Sequence, residues 1–557
     1  MDIHVDRSKT GDRRRPPPPV IAILVATVIV GLGCGRVGQV PGAERADSAV
    51  PTTPNIILVL SDTHRLDHVS GLSPVDPQLT PEIAALVRDG VAFTEAYTPV
   101  PISAPAYASL MTGLRPVEHG LLNNQQHLGP DPPLLQEHLQ RLGYRTAAVV
   151  GNPFCSSGHG FGRGFDSFWD HVEGRGKEGK ILTDEAIHWL DSLTDDAPFF
   201  LFVAYMDAHT PYIADEIPPS LRVEVNGLRI RDERAENAHV EQRYEVVLQP
   251  GENRITLSFL DDGEPARPPD GPSPLHLKDL RLASELPLER SNAVVPIEGT
   301  PYERIDNSAT LTVVNPEDTP ANDQLVFRCF RKYRPETIPE YYAAGVRSFD
   351  RSAGRLLDHL RERELYEDAV VIFVSDHGEM LGEHEAWGHV DHLWEESLRV
   401  PLVIKGPGLD RGTASSTRLD LLDLHGLILS LATGSEAAFD SVTASAYQKI
   451  LLGATYPPEA GALQSSAIRG PYKVVMNADG AEHAFALDTD RAESVDILTE
   501  VHQDPRVRIL LAAARNELAA AAKVESLDLS ALSVDDRDRL RALGSVSYTH
   551  LTLPTII

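Results

Sequence analysis

Asn55-Ile-Ile-Leu-Val-Leu60 is a continuous apolar run, and Ser61-Asp62 follows it at once. A strand with one solvated face would alternate apolar and polar residues, so an unbroken run predicts a strand covered on both faces. Elements of both periods continue on either side of it. A helical pattern falls at Pro81–Asp89, where Ile83, Leu86 and Val87 share a face. Helix then follows at 134–142, strand at 146–150, helix at 183–193 and strand at Phe199–Tyr205. Further on come a helix at 339–361 and strands at 369–375 and 400–405. Strands alternating with helices define an α/β class: a mostly parallel central sheet sandwiched by helices. Reacting groups in such sheets gather beyond the carboxyl ends of the strands. That directs attention to Ser61–Asp62, Asp207–His209 and Asp376–His377.

The alternation breaks between 213 and 325. Leu221-Arg-Val-Glu-Val225 and Leu228-Arg-Ile230 flank Asn226-Gly227, the strongest short hairpin signal. Tyr244–Leu248, a Pro250-Gly251 turn, Ile255–Phe259, Leu275–Leu282 and 310–314 extend it. An inserted all-β module, a small sandwich, is expected. It either contacts polymer or is purely structural. From 411 to 545, helices at 419–431 and 505–522 mix with short strands at 466–469 and 472–476, predicting a C-terminal α/β subdomain. The expected layout is an export signal at 1–34, a linker at 35–53, a catalytic core in two parts (54–212 and 326–410), the insertion, and the C-terminal subdomain.

The chain has 557 residues, enough for several domains, with 42% hydrophobic and 24% charged residues. Its net charge of −30 opposes binding to nucleic-acid phosphates. It does not exclude anionic substrates, because one bound cation reverses the local sign. Arg13-Arg-Arg15 precedes an apolar stretch from Val20 to Leu32 and then Gly33-Cys34. This pattern resembles a bacterial lipoprotein signal, which implies export to the periplasm or cell surface and a membrane link only through a lipid on Cys34. Plain secretion and a retained anchor are the alternatives. Residues 35–52 form a Gly/Ala/Pro/Ser-rich tether. Residues 546–555 resemble a translated sequencing-library adapter, so 546–557 are left out of the fold argument and His550 out of the site. Cys155 and Cys329 show no CxxC spacing and are expected as separate buried thiols.

Four pieces carry chemistry together. They are Asp62 in Ser-Asp-Thr-His-Arg65; Pro101-Ile-Ser-Ala-Pro-Ala-Tyr107 with its continuation to Gly113; Asp207-Ala-His-Thr-Pro-Tyr212; and Ser375-Asp-His-Gly-Glu379 with Gly382-Glu-His384 and Trp387-Gly-His-Val-Asp-His392. Taken singly, each has a structural reading as a cap, a turn or a satisfied histidine. Taken together, they return carboxylates and histidines to adjacent strand ends. Two carboxylates and an imidazole suit one hard or borderline divalent cation, such as calcium, manganese or zinc. A metal-dependent hydrolase follows.

These motifs resemble the sulfatase branch of the alkaline-phosphatase-like superfamily over roughly 54–212 and 330–500. The resemblance implies that Asp62, Asp376 and His377 are metal ligands. It places Ser103 at the nucleophile, which in sulfatases is a cysteine or serine oxidised to formylglycine. His209 matches the histidine of the family's Asp-x-His-x-Pro-Tyr stretch. His389 matches the histidine before its Leu-Tyr-x-Glu segment, here Leu393-Trp-Glu-Glu396. His119-Gly120 and Gly160–Asp166 fit family landmarks, which accounts for the Gly158–Gly164 glycines better than a dinucleotide loop does.

Three positions depart from that pattern. Tyr107 stands where the Cys/Ser-x-Pro-x-Arg signature has arginine, Thr63 replaces the second of two paired aspartates, and Asn152 replaces a lysine. All three are candidate substrate-contacting positions; Arg65 and Asp67 are weaker cleft candidates, and His384 and His392 read as solvated or core-satisfied. Two states of Ser103 stay open: formylglycine, or an unmodified alkoxide, toward which the missing arginine weighs. The expected activity is hydrolysis of a sulfate ester, or a related phosphate ester, of a small molecule or glycan. A phosphodiesterase or phospho-group transferase using unmodified Ser103 is the first alternative, and an inert glycan-binding member the second.

Overall fold

The computed structural model describes residues 53–522, apart from 171–177, 211, 213–220, 234–241, 262–263, 266–274, 291–293, 297–302, 306–307, 332–336, 435–448 and 457–462. The predicted signal, most of the tether and the adapter-like segment lie outside the described residues. So does the side chain of Cys329, whereas Cys155 is a buried free thiol.

Eight strands build the main sheet: β1 Ile56–Ser61, β2 Val91–Tyr97, β3 Arg145–Val150, β4 Ser167–Asp170, β5 Phe199–Tyr205, β6 Val370–Val374, β7 Arg399–Lys405 and β8 Thr413–Asp420. Their spatial order is β8-β2-β7-β6-β1-β5-β3-β4. The 55–60 run lies at the heart of this sheet, parallel to β5 and β6, with Leu58 beside Phe202 and Ile372. Its alternate residues feed two cores. Ile56, Leu58 and Leu60 pack with α2 (Ser103–Thr112), α3 (Leu135–Arg141) and α6 (Leu421–Ala432) on one face. Ile57 and Val59 pack on the other with α1 (Pro81–Asp89), α4 (Gly179–Ser192) and α5 (Ile338–Glu362). A side chain such as Leu58, fully enclosed here, contributes about 2–5 kcal/mol against truncation to alanine. Among the described residues no helix is long and apolar enough to cross a membrane.

The sheet is mostly parallel, with one reversal. Strand β7 runs antiparallel to both β6 and β2. The chain between β6 and β7 carries only the short helix Glu395–Leu398 rather than a full crossover helix. Strands β2, β4 and β8 were not foreseen. The polar sequence Thr-Ala-Ser-Ser-Thr-Arg of β8 hides it, because β8 is an edge strand exposed or half-buried until its last two residues.

Two expected boundaries move. Strand β8 and helix α6 belong to the main sheet and its core, so the C-terminal subdomain does not begin at 411. Asp420 closes β8 and caps α6 by accepting from the Asp423 amide at 3.3 Å. The C-terminal unit is a four-stranded antiparallel sheet (Leu451–Ala454, Gln464–Arg469, Tyr472–Asn477, Glu482–Ala486) covered by helix α7, Pro505–Ala521.

The insertion is the expected pair of antiparallel sheets, and it continues past 325. Its strand Ala321–Arg331 pairs with Gln242–Leu248 and turns Leu325 and Phe327 inward. Asn226 at φ 52° and Gly227 at φ 79° make the hairpin turn that Asn-Gly predicts.

Candidate active site

Four segments leave the carboxyl side of the main sheet and converge. Asp62 follows β1, Asp207–His209 follow β5, Asn152 follows β3, and Asp376–His377 follow β6. Ser103 opens helix α2, whose first-turn amides and positive dipole end favour a negatively charged oxygen there. The Ala104 amide donates to Asn124 Oδ1 at 3.0 Å and fixes that helix start.

Asp62, Asp376 and His377 are fully buried, and one ligand atom from each lies within 4.8 Å of the others. Nε2 of His377 stands 3.4 Å from Asp376 Oδ2 and 3.9 Å from Asp62 Oδ1. Each ligand is held from behind. Asn152 Nδ2 donates to Asp62 Oδ2 at 2.7 Å. Asp376 Oδ1 accepts from the Thr63 and His377 amides at 3.2 and 2.9 Å. The Gly378 carbonyl, 3.0 Å from His377 Nδ1, accepts only from a protonated nitrogen, which leaves the Nε2 lone pair for the centre. The inner oxygens, Asp62 Oδ1 and Asp376 Oδ2, have no hydrogen-bond partner among the described residues. Burial pushes both carboxyls up, Asp376 to about 7, and the neighbouring Asp376 adds to the rise at Asp62. Two orphaned buried carboxylate oxygens and an imidazole lone pair at this spacing fit one divalent cation, which would relieve both the desolvation and the repulsion.

The Ser103 hydroxyl lies 3.3 Å from His377 Nε2. His389 adds a third imidazole, its ring centre 4.5 Å from that of His377 and 5.1 Å from that of His209. His209 is buried, with Nδ1 on the Thr210 carbonyl. The six residues expected to do the chemistry (Asp62, Ser103, His209, Asp376, His377 and His389) thus share one buried cluster.

The expected substrate contacts are placed differently. Thr63, at φ 57°, spends its hydroxyl on the Asp62 and Ala208 carbonyls, and Asn152 is committed to Asp62 and to the Phe154 amide. Both brace the centre instead of presenting a group to a ligand. Tyr107 is enclosed edge-on against Phe161 and Phe202, and its hydroxyl has no hydrogen-bond partner among the described residues. Burial drives that phenol upward, and the carboxylates of Asp62 and Asp376 add to the push. Tyr107 is therefore a neutral wall of the site. Arg65 is closed off: it forks onto Asp67 at 2.9 and 2.6 Å and reaches Glu383 and the Glu379 carbonyl at 2.8 and 3.1 Å. His384 is exposed, stacked 3.9 Å from Trp394, and His392 is half-buried. The Gly160 and Gly164 positions are crowded by Leu128 and Glu137, so these glycines serve close packing.

Glu379 received no role from the sequence. It is buried, and its Oε1 lies 3.1 Å from His389 Nδ1. In the sequence it is indistinguishable from a turn residue of Asp-His-Gly-Glu. Only the fold brings it to a histidine ten residues on.

A mostly parallel sheet carrying an Asp/Asp/His cluster and a helix-start serine at its carboxyl edge defines a hydrolase of the alkaline-phosphatase-like fold. The Sulfatase family model matches residues 54–435, and the chain belongs to that family. It is 24% identical over 390 residues to N-acetylglucosamine-6-O-sulfatase of Bacteroides thetaiotaomicron, covering 66% of this chain and 65% of that protein. It is 25% identical over 539 residues to choline-sulfatase of Rhizobium meliloti, covering 85% and 88%. Among solved structures, BT4656 in complex with its substrate D-glucosamine-2-N,6-O-disulfate superposes with a TM-score of 0.55 at 17% identity, covering 85% of this chain and 99% of that one. Phosphonate monoester hydrolase of Agrobacterium radiobacter shares the fold at a TM-score of 0.53 and 16% identity, covering 86% and 97%.

Proposed function

We propose that this chain is an exported, metal-dependent hydrolase that cleaves a sulfate ester, or a related phosphate ester, through Ser103. The observation that carries this is the Ser103 hydroxyl 3.3 Å from His377 Nε2, beside a carboxylate pair whose inner oxygens have no hydrogen-bond partner among the described residues. Asp62, Asp376 and His377 would hold one divalent cation, which lowers the nucleophile's pKa and stabilises charge on the transferring group. Unmodified Ser103 Oγ gives its proton to an imidazole of the cluster and bonds to sulfur or phosphorus as the bond from that atom to the ester oxygen breaks; water then attacks the same sulfur or phosphorus and restores the serine hydroxyl. His209 and His389 flank that reaction zone, where an imidazole binds the ester oxygens or gives the departing oxygen its proton. Asn152, Thr63 and the Gly378 carbonyl keep the three ligand side chains from turning away.

A second reading is phospho-group hydrolysis or transfer by an unmodified serine. Tyr107 favours it, because an enclosed phenol occupies the position of the signature arginine. The inert glycan-binding alternative leaves the buried, unpartnered carboxylate oxygens without a purpose. Lipid attachment at Cys34 rests on the 13–34 pattern alone; membrane release of a Cys34→Ala variant tests it.

Assays with aryl sulfate, phosphate monoester and phosphodiester, each with added calcium, manganese or zinc, test the activity. Absence of turnover on all three would remove the enzyme reading. Mass spectrometry of the peptide holding Ser103 separates formylglycine, two hydrogens lighter than serine, from the unmodified residue.

A further inference from the structure

Glu379 and His389 form a second carboxylate–imidazole pair beside the Asp62/Asp376/His377 cluster. Glu379 Oε1 lies 3.1 Å from His389 Nδ1, and both side chains are almost completely enclosed, at 2% and 1% exposure. Across the imidazole, Nε2 is buried without a hydrogen-bond partner among the described residues, in a ring packed against those of His377 and His209. Glu379 Oε2 likewise has no hydrogen-bond partner among the described residues. A buried carboxyl with a single bond is expensive where an apolar residue of similar size would be neutral or better, so packing alone does not account for it.

The backbone around the pair is costly and tightly fixed. His389 lies between Gly388 at φ 82° and Val390 at φ 90°. A β-branched residue at positive φ is a true outlier that survives only where its surroundings determine it. Here the Val390 amide donates to the Pro101 carbonyl at 3.1 Å, tying the His389 turn to the segment that leads into Ser103. On the other side, the Gly378 amide donates to the Ser397 carbonyl at 2.8 Å, and a side chain at 378 would collide with the Glu396 carbonyl. Arg65, itself gripped by Asp67 and Glu383, holds the Glu379 carbonyl. Both members of the pair are thereby held in place, with one ring nitrogen occupied and the other directed away from Glu379.

We propose that Glu379 is the positioning residue of His389: its carboxyl locks the imidazole in one orientation and one tautomer, so that Nε2 alone meets the ester oxygens. This rests on the reading of the site as an ester hydrolase. An apolar substitution would leave the ring in place on average but free its tautomer and tilt.

The test compares Glu379→Leu with Glu379→Gln, whose amide retains an oxygen at Oε1. Each is measured by kinetics on the best of the three ester substrates, by melting temperature, and by 15N spectra of histidine-labelled protein. Expected for Glu379→Leu is a kcat lower by about 30–100-fold with KM changed less than threefold, and a His389 imidazole that shifts from one tautomer to a mixture. Glu379→Gln should recover kcat to within about fivefold and keep a single tautomer. An unchanged kcat and imidazole signature in Glu379→Leu would overturn the proposal. So would equal losses in both variants accompanied by a shared fall in melting temperature, which marks a structural carboxyl. If the wild-type protein turns over no ester, the ester-hydrolase reading fails, and the imidazole spectra still decide whether Glu379 sets His389.

Discussion

The hydroxyl of Ser103 and Nε2 of His377 are 3.3 Å apart, although 274 residues separate them in the chain. The contact exists because α2 begins beside the end of β6, and the Val390–Pro101 hydrogen bond joins the loops that carry them.

Removing that hydroxyl should remove the reaction. Ser103→Ala is expected to lower kcat/KM by at least about 10³-fold while leaving the melting temperature and metal binding within error. Steady-state kinetics with calorimetry on the same preparation checks this. A variant with full activity would take Ser103 out of the mechanism.

Asn152 gives a prediction about the metal that needs no substrate. Its amide is the hydrogen-bond donor on the outer oxygen of Asp62, at 2.7 Å. Asn152→Ala should weaken divalent-cation affinity by about 10–100-fold, as is usual when a ligand loses its outer support. Titration calorimetry of the metal-stripped protein, with calcium, manganese and zinc in turn, reads the effect. Equal affinities in variant and parent would mean that the Asn152 hydrogen bond does not hold Asp62 for the ion.

How much of this was written in the sequence depends on the range of the interactions. Asp62, Asp376 and His377 were legible because each directly follows an apolar run, and strand order in an α/β sheet brings such ends together. The sandwich was legible through alternation and Asn226-Gly227. Glu379 was hidden, since the histidine its carboxyl meets is fixed by a turn with two positive-φ residues that no periodicity marks. The bracing roles of Thr63 and Asn152 were hidden for a related reason: a short polar side chain at a strand end looks the same whether it faces a ligand or a neighbouring carboxylate. Strand β8 escaped because an edge strand has no apolar run to betray it.

Asp207 supplies a pH dependence. It is fully buried, its Oδ1 accepts from the Ser348 hydroxyl at 2.7 Å and the Gly179 amide at 3.3 Å, and burial raises its carboxyl to about 7. Between about pH 4 and pH 7 the native state keeps a proton that the unfolded chain has lost. This group therefore lowers stability as pH rises through that window, and the penalty is complete above 7. Asp207→Asn keeps an acceptor oxygen and cannot ionise. The melting temperature of the variant relative to the parent should rise by a few degrees from pH 5 to pH 8. Scanning calorimetry at both values checks this, and a flat difference would contradict it.

The charge of the site predicts which esters it prefers. With one divalent cation bound, the two ionised carboxylates would balance it, Tyr107 and Asn152 are neutral, and Arg65 is spent on Asp67 and Glu383. A substrate group with one negative charge meets a centre of roughly zero net charge; a phosphate monoester brings a second charge with no cation to receive it. Carrying a second charge into that neutral, enclosed centre gives up hydration that nothing there replaces, a cost of about a few kcal/mol. Aryl sulfate or phosphodiester should therefore exceed phosphate monoester in kcat/KM by about 10–100-fold. Asn152→Lys adds a cation beside Asp62 and should narrow that ratio, whatever it does to the absolute rates. The ratio is measured at saturating metal, so that ion occupancy does not enter it. A parent enzyme faster on the monoester would show that another cation serves the site.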